Sequence, residues 1–172
     1  GILGELERRR AFKRQMGGAE RVQRQRDSGK LDARQRAEAL FDAGSFVELG
    51  AFAGGLSAAS DTPAPADGLI AGFGLIEGRP ALAGVEDFTV LGGSIGDRGA
   101  DKRYRLTQLA AQERVPLVLM LEGAGHRLTN EHAGRRPNDL QGLAELSGLV
   151  PMVCLVLGAS AGHGALAAPL SD

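Results

Sequence analysis

The sequence lacks most of the features that mark a secreted protein or one rich in thiol chemistry. Its single cysteine, Cys154, cannot form an internal disulfide. Because Cys154 lies in an apolar run with no base nearby in sequence, we interpret it as a small buried hydrophobe rather than a nucleophile. This usage is typical of a reducing compartment, and we expect the cytoplasm or, in a eukaryote, the mitochondrial matrix.

An excess of charge of one sign is also missing. The 20 Lys and Arg residues nearly balance the 21 Asp and Glu residues, so we expect no overall attraction to nucleic acid or to an anionic membrane. No apolar run reaches the ~18–20 residues that a membrane helix needs. Glu5 and Glu7 argue against an acid-poor transit peptide. With 43% hydrophobic and 24% charged residues, the 172-residue chain is predicted to fold as a soluble globular domain.

Several common site motifs are absent as well. No spacing of His, Cys or acidic residues is typical of a metal site, and neither a dinucleotide G-x-G-x-x-G turn with an acidic partner nor a P-loop occurs. The letters GASAG resemble a G-x-S-x-G nucleophile elbow at Ser160. That arrangement needs an acid and then a histidine later in the chain, but no histidine follows His163. A serine nucleophile is therefore disfavoured.

Glycine, by contrast, is abundant, since 26 residues are roughly twice the number that the ~7% average predicts. Three turns concentrate it: LGGSIG (91–96), EGAGHR (122–127) and GASAGHGA (158–165). A glycine-rich turn that leads into a helix leaves backbone N–H groups unobstructed, and two of them can hold a carbonyl oxygen that becomes an enolate oxyanion. The alternative is that the glycines only let a helix pack close to the sheet, and the pattern alone favours neither.

The order of the predicted elements indicates an α/β fold. Apolar patterns predict β segments at 68–76 and 79–86 joined by a tight Glu77-Gly78 turn, a helix at 99–114, a buried strand at 115–123, a helix at 138–149 and another buried strand at 151–158. Strands that alternate with crossover helices make a parallel sheet, and ligands bind at the carboxyl ends of its strands. The glycine turns lie at those ends.

The amino-terminal part is predicted to be helical. Residues 3–27 are polar, and we interpret them as a solvated arm that packs on a neighbour. A nucleic-acid-binding arm is the alternative, against which the interleaved Glu residues and the lack of aromatics count. A helix from Ala33 to Phe41 follows, with Asp32 as its candidate N-cap. The loop at 54–66, rich in Pro, Gly, Ser and Ala, is expected to be mobile.

Long motifs carry a resemblance to a known family. They are GKLDARQRAEALFDAGSFVEL, then DGLIAGFGLIEGRPALAGVEDFTVLGGSIG, and finally GASAGHGALAAPLSD, within a match from about Arg24 to Asp172. In this order they resemble the carboxyltransferase (β) subunit of biotin-dependent acyl-CoA carboxylases. The resemblance implies a crotonase-like (ClpP/crotonase) ββα superhelix. Residues 1–45 would be an N-terminal helical arm and residues 46–172 the first part of the N-terminal crotonase-like domain, with the second half of the subunit absent.

The resemblance also implies an activity. The subunit would move CO₂ from carboxybiotin to the α carbon of an acyl-CoA through an enolate held in a backbone oxyanion hole, with the biotin ureido nitrogen removing the α-proton. Biotin would reside on a biotin carboxylase/biotin carboxyl carrier partner, because the sequence contains neither an M-K-M-type attachment segment nor an ATP-binding segment. A homo-oligomer, a hexamer built from dimers, is implied, with no metal in this chain. Two alternatives stay open: a biotin-dependent acyl-CoA decarboxylase subunit, and an inactive member that scaffolds a carboxylase complex.

Site residues follow by position from the same resemblance. The acyl-CoA oxyanion donors are assigned to main-chain N–H groups of His163 and Gly164, with Gly162 close by. Substrate binding is assigned to the other two turns and to one lysine: Gly92, Gly93 and Ser94 along the CoA channel, Lys102 toward a CoA phosphate or else solvated on a helix face, and Gly123, Ala124, Gly125 and Arg127 near the acyl group.

Three residues depart from the family pattern. Ala124 replaces a glycine, His126 a small residue, and His163 the second glycine of the A-G-G turn. Each keeps a backbone N–H but adds bulk beside the acyl pocket. A general-base role for a histidine is one hypothesis, and a wall or hydrogen-bonding role is the other. The polar stretch 129–140 is expected to cap the pocket or contact a partner subunit, with His132 as an exposed loop residue.

Overall fold

The structure is a computed structural model, and it describes residues 1–56, 62–127 and 138–172. The α-helices of these residues are α1 (Ile2–Arg14), α2 (Ala19–Asp27), α3 (Ala33–Leu40), α4 (Asp97–Glu113), α5 (Asp139–Leu146) and α6 (Gly162–Ala165). The strands are β1 (Val47–Leu49), β2 (Gly54–Leu56), β3 (Pro63–Pro65), β4 (Leu69–Ile76), β5 (Arg79–Glu86), β6 (Leu117–Gly123) and β7 (Met152–Ser160).

A mixed five-stranded sheet organises the chain, in the order β1-β4-β5-β6-β7. The β4–β5 hairpin is antiparallel and its turn at Glu77-Gly78 is where the sequence predicts it. The pairs β5–β6 and β6–β7 are parallel, with α4 and α5 in the crossovers. The expectation of a parallel sheet is therefore confirmed for β5–β7, and β1, a strand that the sequence analysis did not predict, pairs antiparallel with β4.

Each face of the sheet is covered by a separate apolar cluster, and β6 supplies both. Leu117, Leu119 and Leu121 point into the cluster under α4 and α5, whereas Val118 and Met120 point into the cluster under the amino-terminal helices. This alternation is the two-residue period of a strand, and a strand covered on both faces is apolar throughout. The sequence-based prediction of a buried strand is confirmed for β6.

The amino-terminal helices pack on the sheet of their own chain. Asp32 caps α3 in a capping box with Gln35, as the sequence predicts. Met16, Ala37 and Phe41 belong to the cluster on that face of the sheet. Helix α1 has no buried residue and α2 buries only Gln25, so both are largely exposed, whereas α3 buries Ala33, Arg36 and Ala37. No helix of the described residues is long and apolar enough to cross a membrane.

Strand β7 and the loop before β4 differ from the prediction. Only Met152 of β7 is buried, and four apolar side chains of this strand are exposed: Val153, Leu155, Val156 and Leu157. The prediction of a second fully buried strand is therefore wrong for β7 in this chain. The predicted loop at 54–66 contains the small antiparallel hairpin β2–β3. Residues 57–61 and most of the polar stretch 129–140, including His132, lie outside the described residues.

Candidate active site

Two of the glycine turns touch one another at the carboxyl ends of β6 and β7. The Ala161 N–H donates to the Gly123 carbonyl oxygen at 3.0 Å. Gly125 has a φ of +82°, and a Cβ at this residue would lie 2.9 Å from the carbonyl oxygen of Ala161. Gly162 has a φ of +57° and faces Gly125 from the other side. Glycine is therefore required at Gly125, by its backbone conformation and by the close approach of the second turn, whereas the φ of Gly162 is one that other residues of this chain also adopt.

The second turn presents three backbone donors. Gly162, His163 and Gly164 are the first three residues of α6, where N–H groups have no acceptor inside the helix. Within the described part of the chain none of these three N–H groups donates to another turn or loop. Ala161 and Gly162 are exposed, while Gly164 is buried. The geometry can therefore offer main-chain donors to a carbonyl oxygen at an open surface.

The loop at 91–96 is hydrogen-bonded along the first turn. The Gly92 carbonyl oxygen accepts from the Ala124 N–H at 3.0 Å, and Ile95 forms two backbone hydrogen bonds with the residues on either side of His126. At Gly93 a Cβ would lie 2.3 Å from the Glu122 carbonyl oxygen, so only glycine fits there. The structure thus brings the loop at 91–96 and the first turn together.

Arg127 is held by internal partners. Its Nη1 lies 2.6 Å from Asp67 Oδ1, and its Nε and Nη2 donate to the hydroxyl and the carbonyl oxygen of Ser94. Asp67 also accepts from the Gly99 N–H at the start of α4, at 2.7 Å. The guanidinium therefore ties the first turn to the loop below it and to α4. A direct contact of Arg127 or Ser94 with substrate stays a prediction.

Lys102 is likewise directed inward. Its side chain is buried, and its Nζ donates to the carbonyl oxygens of Ala66, at 2.8 Å, and of Leu69. Burial lowers the pKa of Lys102 to about 8. The expectation of a solvated lysine on a helix face is therefore wrong. A CoA phosphate contact stays a prediction, and it would require this ammonium group to leave two backbone acceptors.

A basic cleft of about 500 Å³ runs along α2 to the site. Its charged side chains are those of Arg21, Arg24, Lys30 and Glu122, and its far wall contains Gly92 and Ala159 next to the exposed ring of Phe88. Glu122 is neutralised by cations that include Lys30, and Arg24 pairs with Glu20, so Arg21 is the cleft cation with no ion pair among the described residues. The cleft therefore carries a net positive charge beside Gly92.

Glu122 joins the amino-terminal helices to the end of β6. Its side chain is 1% exposed and accepts hydrogen bonds from Gln25, Lys30 and Arg36 at 2.5–2.9 Å. Burial raises the pKa of the Glu122 carboxyl, but these three donors outweigh burial and hold the pKa below its usual value. A Cβ at Gly158 would lie 2.2 Å from this carboxylate, so β7 needs glycine opposite Glu122.

A network of buried charges also reaches the second turn, residues 158–165, which is called the donor turn from here on. Asp139, at the start of α5, lies 2.5 Å from Nε2 of His163 and accepts from Arg103 Nε at 2.9 Å. Arg103 Nη1 donates to Glu86 Oε1 at 2.9 Å, and Glu86 Oε2 accepts from the Glu122 N–H at 2.8 Å. The chain of contacts thus runs from the donor turn to the end of β6.

The charges of this chain depend on one another. Burial raises the pKa of Asp139, but Arg103 and His163 together lower it below its usual value. Burial also raises the pKa of Glu86, and Arg103 only partly opposes this effect. The His126 and His163 rings meet edge to face, with centroids 4.7 Å apart. Burial and the neighbouring His163 lower the pKa of His126.

Sequence reasoning missed the polar partners of the site. Asp139 follows Asn138, and from the sequence these two residues indicate only the start of a helix. Arg103 and Glu86 lie in otherwise ordinary helix and strand patterns, and Arg21 lies in a segment interpreted as a solvated arm. The one available signal was His163, because a histidine in a turn of small residues indicates that its ring has a partner nearby.

Comparison with known proteins identifies the family of this site. The carboxyl transferase domain family matches residues 24–172. A propionyl-CoA carboxylase beta chain from Cereibacter sphaeroides is 36% identical over 182 residues, covering 99% of this chain and 34% of the relative. A methylmalonyl-CoA decarboxylase alpha subunit from Propionigenium modestum is 31% identical over 166 residues, covering 91% of this chain and 31% of the relative.

Solved structures agree with the sequence comparison. The transcarboxylase 12S subunit, described as a hexamer with methylmalonyl-coenzyme A bound, superimposes with a TM-score of 0.87 at 30% identity over 99% of this chain and 34% of that one. The chain therefore spans about a third of the length of the relatives it matches. The crotonase-like fold that the sequence predicts is confirmed, and this chain belongs to the carboxyl transferase domain family found in biotin-dependent acyl-CoA carboxylases.

Proposed function

We propose that the chain forms the acyl-CoA half of a carboxyltransferase site in a biotin-dependent acyl-CoA carboxylase. The observation that carries this proposal is the contact between Gly125 and the Ala161–Gly162 segment, beside three N–H groups without a backbone acceptor among the described residues. A thioester carbonyl oxygen placed at these donors would be polarised, and loss of the α-proton would put negative charge on that same oxygen. Donors aimed at a developing oxyanion are commonly the largest single catalytic contribution.

The chain's own residues divide the work of holding the substrate. His163 and Gly164 would donate to the thioester oxygen, with Gly162 next to them. Ala124 and Gly125 have little side chain and would leave room for the acyl group. Gly92, which lines the cleft of about 500 Å³, and the neighbouring Gly93 would lie along the path of the pantetheine arm.

The basic cleft supports the proposal that the substrate is bound through its coenzyme A portion. Coenzyme A carries phosphate groups, and Arg21, Arg24 and Lys30 lie on the wall that α2 contributes to the cleft. The exposed ring of Phe88 offers an apolar surface near the same cleft. We propose these residues, rather than the buried Lys102, as the contacts for the charged part of coenzyme A.

Biotin and its partners belong to the same proposal. Carboxybiotin, borne by a partner subunit or domain, would supply the CO₂ and accept the α-proton, and its site would come from the second half of a neighbouring subunit. The transcarboxylase 12S relative forms a hexamer, and we propose a hexamer built from dimers for this protein as well. Among the described residues no group of His, Cys, Asp and Glu is arranged to bind a metal ion. We keep the cytoplasm as the proposed compartment.

The other two functions raised by the sequence are less well supported. A decarboxylase subunit is among the relatives at 31% identity, but the propionyl-CoA carboxylase beta chain matches at 36% over more of the chain. An inactive scaffold is disfavoured because the departures from the family pattern leave the backbone donors in place: His163 is held by Asp139, and Ala124 and His126 lie at the exposed edge.

Calorimetric titration of the full-length subunit tests the proposal. Acetyl-, propionyl- and a long-chain acyl-CoA are compared with free coenzyme A, which shares the phosphate contacts but has no thioester oxygen. Preferential binding of one thioester, followed by carboxylation when the biotin carrier is added, is the expected result. A folded, assembled subunit that binds no thioester more tightly than free coenzyme A would contradict the acyl-CoA site.

A further inference from the structure

One carboxylate lies beneath both glycine turns of the site. A Cβ at Gly123 would lie 2.9 Å from Oε2 of Glu86, and a Cβ at Gly164 would lie 2.9 Å from its Oε1. Glu86 is 3% exposed, and its partner Arg103 is 4% exposed. The ends of both turns therefore pack on the same buried group, and any movement of one turn relative to the other must disturb its contacts.

The donor turn has one side-chain anchor in this network, namely His163. Its Nε2 is 2.5 Å from Oδ1 of Asp139, whose carboxylate is 3% exposed and also bound by Arg103. The helix α6 has only four residues and begins with Gly162 in the left-handed region, so local structure alone holds this turn weakly. A partly buried, charge-assisted hydrogen bond at its second residue supplies the missing constraint.

We infer that His163 is a positioning residue, which fixes the backbone donors of the α6 turn against Gly125 through Asp139, Arg103 and Glu86. This inference builds on the proposed function, because the donors matter only if a thioester oxygen binds there. Misplacing a catalytic group by about 1 Å can cost on the order of 100-fold in rate, so the anchor acts mainly on the reaction step and little on coenzyme A binding.

A proton-accepting role for the same histidine makes a different prediction. Nε2 is engaged by Asp139, so a base would have to use the other ring nitrogen, and a side chain without a titrating ring would abolish it. A positioning role needs only a donor at the place of Nε2. Glutamine carries an amide N–H group at about the reach of Nε2, whereas asparagine is one carbon shorter. The pair H163Q and H163N therefore separates the two roles.

The experiment uses the full-length subunit with its biotin-carrying partner. The variants H163A, H163Q, H163N and D139N are compared with wild type and with E145Q, an exposed carboxylate on the same helix as Asp139 that pairs with Gln141. Three quantities are measured: kcat of carboxylation, the Kd for the acyl-CoA, and the ¹³C shift of the labelled thioester carbonyl in the bound substrate. The last reports hydrogen bonding to that oxygen in the folded, bound protein only.

The expected result is specific to positioning. H163A and H163N lower kcat by about 10- to 100-fold, change Kd by less than about threefold, and move the carbonyl shift toward that of the free ester. H163Q keeps about a third or more of wild-type kcat and the wild-type carbonyl shift. D139N, which keeps an acceptor oxygen but loses the charge, lowers kcat by about tenfold. E145Q behaves as wild type.

Three results would overturn the inference. The first is H163A with wild-type kcat and carbonyl shift. The second is H163Q as inactive as H163A with the carbonyl shift unchanged, which assigns a proton-transfer role instead. The third is a fall in every variant, E145Q included, in proportion to lost thermal stability. A wild-type subunit that binds no acyl-CoA is a separate outcome, since it refutes the proposed function before any variant is made.

Discussion

The turn after β6 and the turn after β7 are both rich in glycine, yet their backbones are used in opposite ways. In the first turn the Ala124 and Arg127 N–H groups and the Gly125 carbonyl oxygen all bond to the loop at 91–96. In the second turn Ala161 bonds to β6, and the next three N–H groups are left without such partners in the described part of the chain. The first turn, residues 122–127, is fixed to the loop at 91–96 and is called the frame below, whereas the second turn presents free backbone donors among the described residues.

The side chains follow the same division. The resemblance assigns Arg127 and Lys102 to substrate, but both side chains are bound inside the protein. Arg127 bonds to Asp67 and Ser94, and Lys102 bonds to the carbonyl oxygens of Ala66 and Leu69. In the turn at 158–165, His163 is the side chain that reaches a buried polar partner, Asp139. Similar sequence composition thus conceals one turn held by several backbone and side-chain bonds and another held by the Ala161 backbone bond and the His163 side chain.

The largest effect is expected from breaking the frame with Arg127→Met. The substitution leaves Asp67 buried without its cation, and loss of one partner of a buried ion pair costs about 3–5 kcal/mol of stability. Urea unfolding measures the change. Arg98→Met is the control, because the exposed pair that Arg98 forms with Asp101, at 3.4 Å, contributes at most about 1 kcal/mol. Equal losses in the two variants would show that Arg127 does not lock the turn.

The spacing between the two turns is tested by Gly125→Ala. The added Cβ would lie 2.9 Å from the Ala161 carbonyl oxygen and push the donor turn away, so kcat/KM for the acyl-CoA should fall by about 100-fold. Gly148→Ala is the matched control. Gly148 also has a positive φ, +73°, but nothing lies within 4 Å of its Cβ position, so this variant carries only backbone strain of about 1 kcal/mol. Similar activity losses in both variants would mean that strain, not spacing, matters.

The burial of Lys102 should also affect the pH dependence of stability. The folded-state pKa of Lys102 is lowered to about 8, whereas the unfolded chain keeps a value near 10.5. Between these pH values the unfolded chain binds more protons, so the stability contributed by this group rises with pH, by about 2–3 kcal/mol over the window. Lys102→Met removes that rise. Urea unfolding of both proteins from pH 7 to 10.5 should give diverging curves, and parallel curves would contradict the burial of the ammonium group.

The smallest effect is expected beside the donor turn, in the basic cleft. Arg21→Gln removes a cation that would face a coenzyme A phosphate, and the Kd for acyl-CoA should rise about fivefold at low ionic strength. Added salt should reduce the difference, because it screens exposed charges. Arg8→Gln on α1, which bonds only to Glu5 among the described contacts, is the control. A Kd unchanged by Arg21→Gln at every salt concentration would remove the cleft from the proposed site.

Local patterns made much of the fold predictable. The β4–β5 hairpin follows from the Glu77-Gly78 turn, the start of α3 from Asp32, and β6 from its unbroken apolar run. The adjacency of the glycine turns follows from parallel pairing of β6 and β7. What could not be predicted depends on contacts distant in sequence: the antiparallel partner of β1, and the exposure of β7, whose apolar run is as continuous as that of β6.

The glycine turns are visible in the sequence, but the contacts of the site are not. The glycine pattern is compatible either with backbone donors or with close helix packing, and only the structure shows that Gly125 contacts the Ala161–Gly162 segment. The partners of Arg127 and Lys102 lie 60 and 33–36 positions away, and no local pattern indicates them. The same holds for Asp139 and His163, which lie 24 positions apart.

Glu122 and Gly158 form a pair whose sizes are complementary across β6 and β7. The glutamate fills the space that a side chain on the neighbouring strand would otherwise occupy, and three donors from the amino-terminal segment converge on it. Even aspartate at position 122 would keep a carbon at the place of Cγ, 2.7 Å from a Cβ at position 158, so a shorter acidic residue would not open room for alanine there. Among relatives that keep an acidic residue at the end of β6, position 158 on β7 should therefore stay glycine.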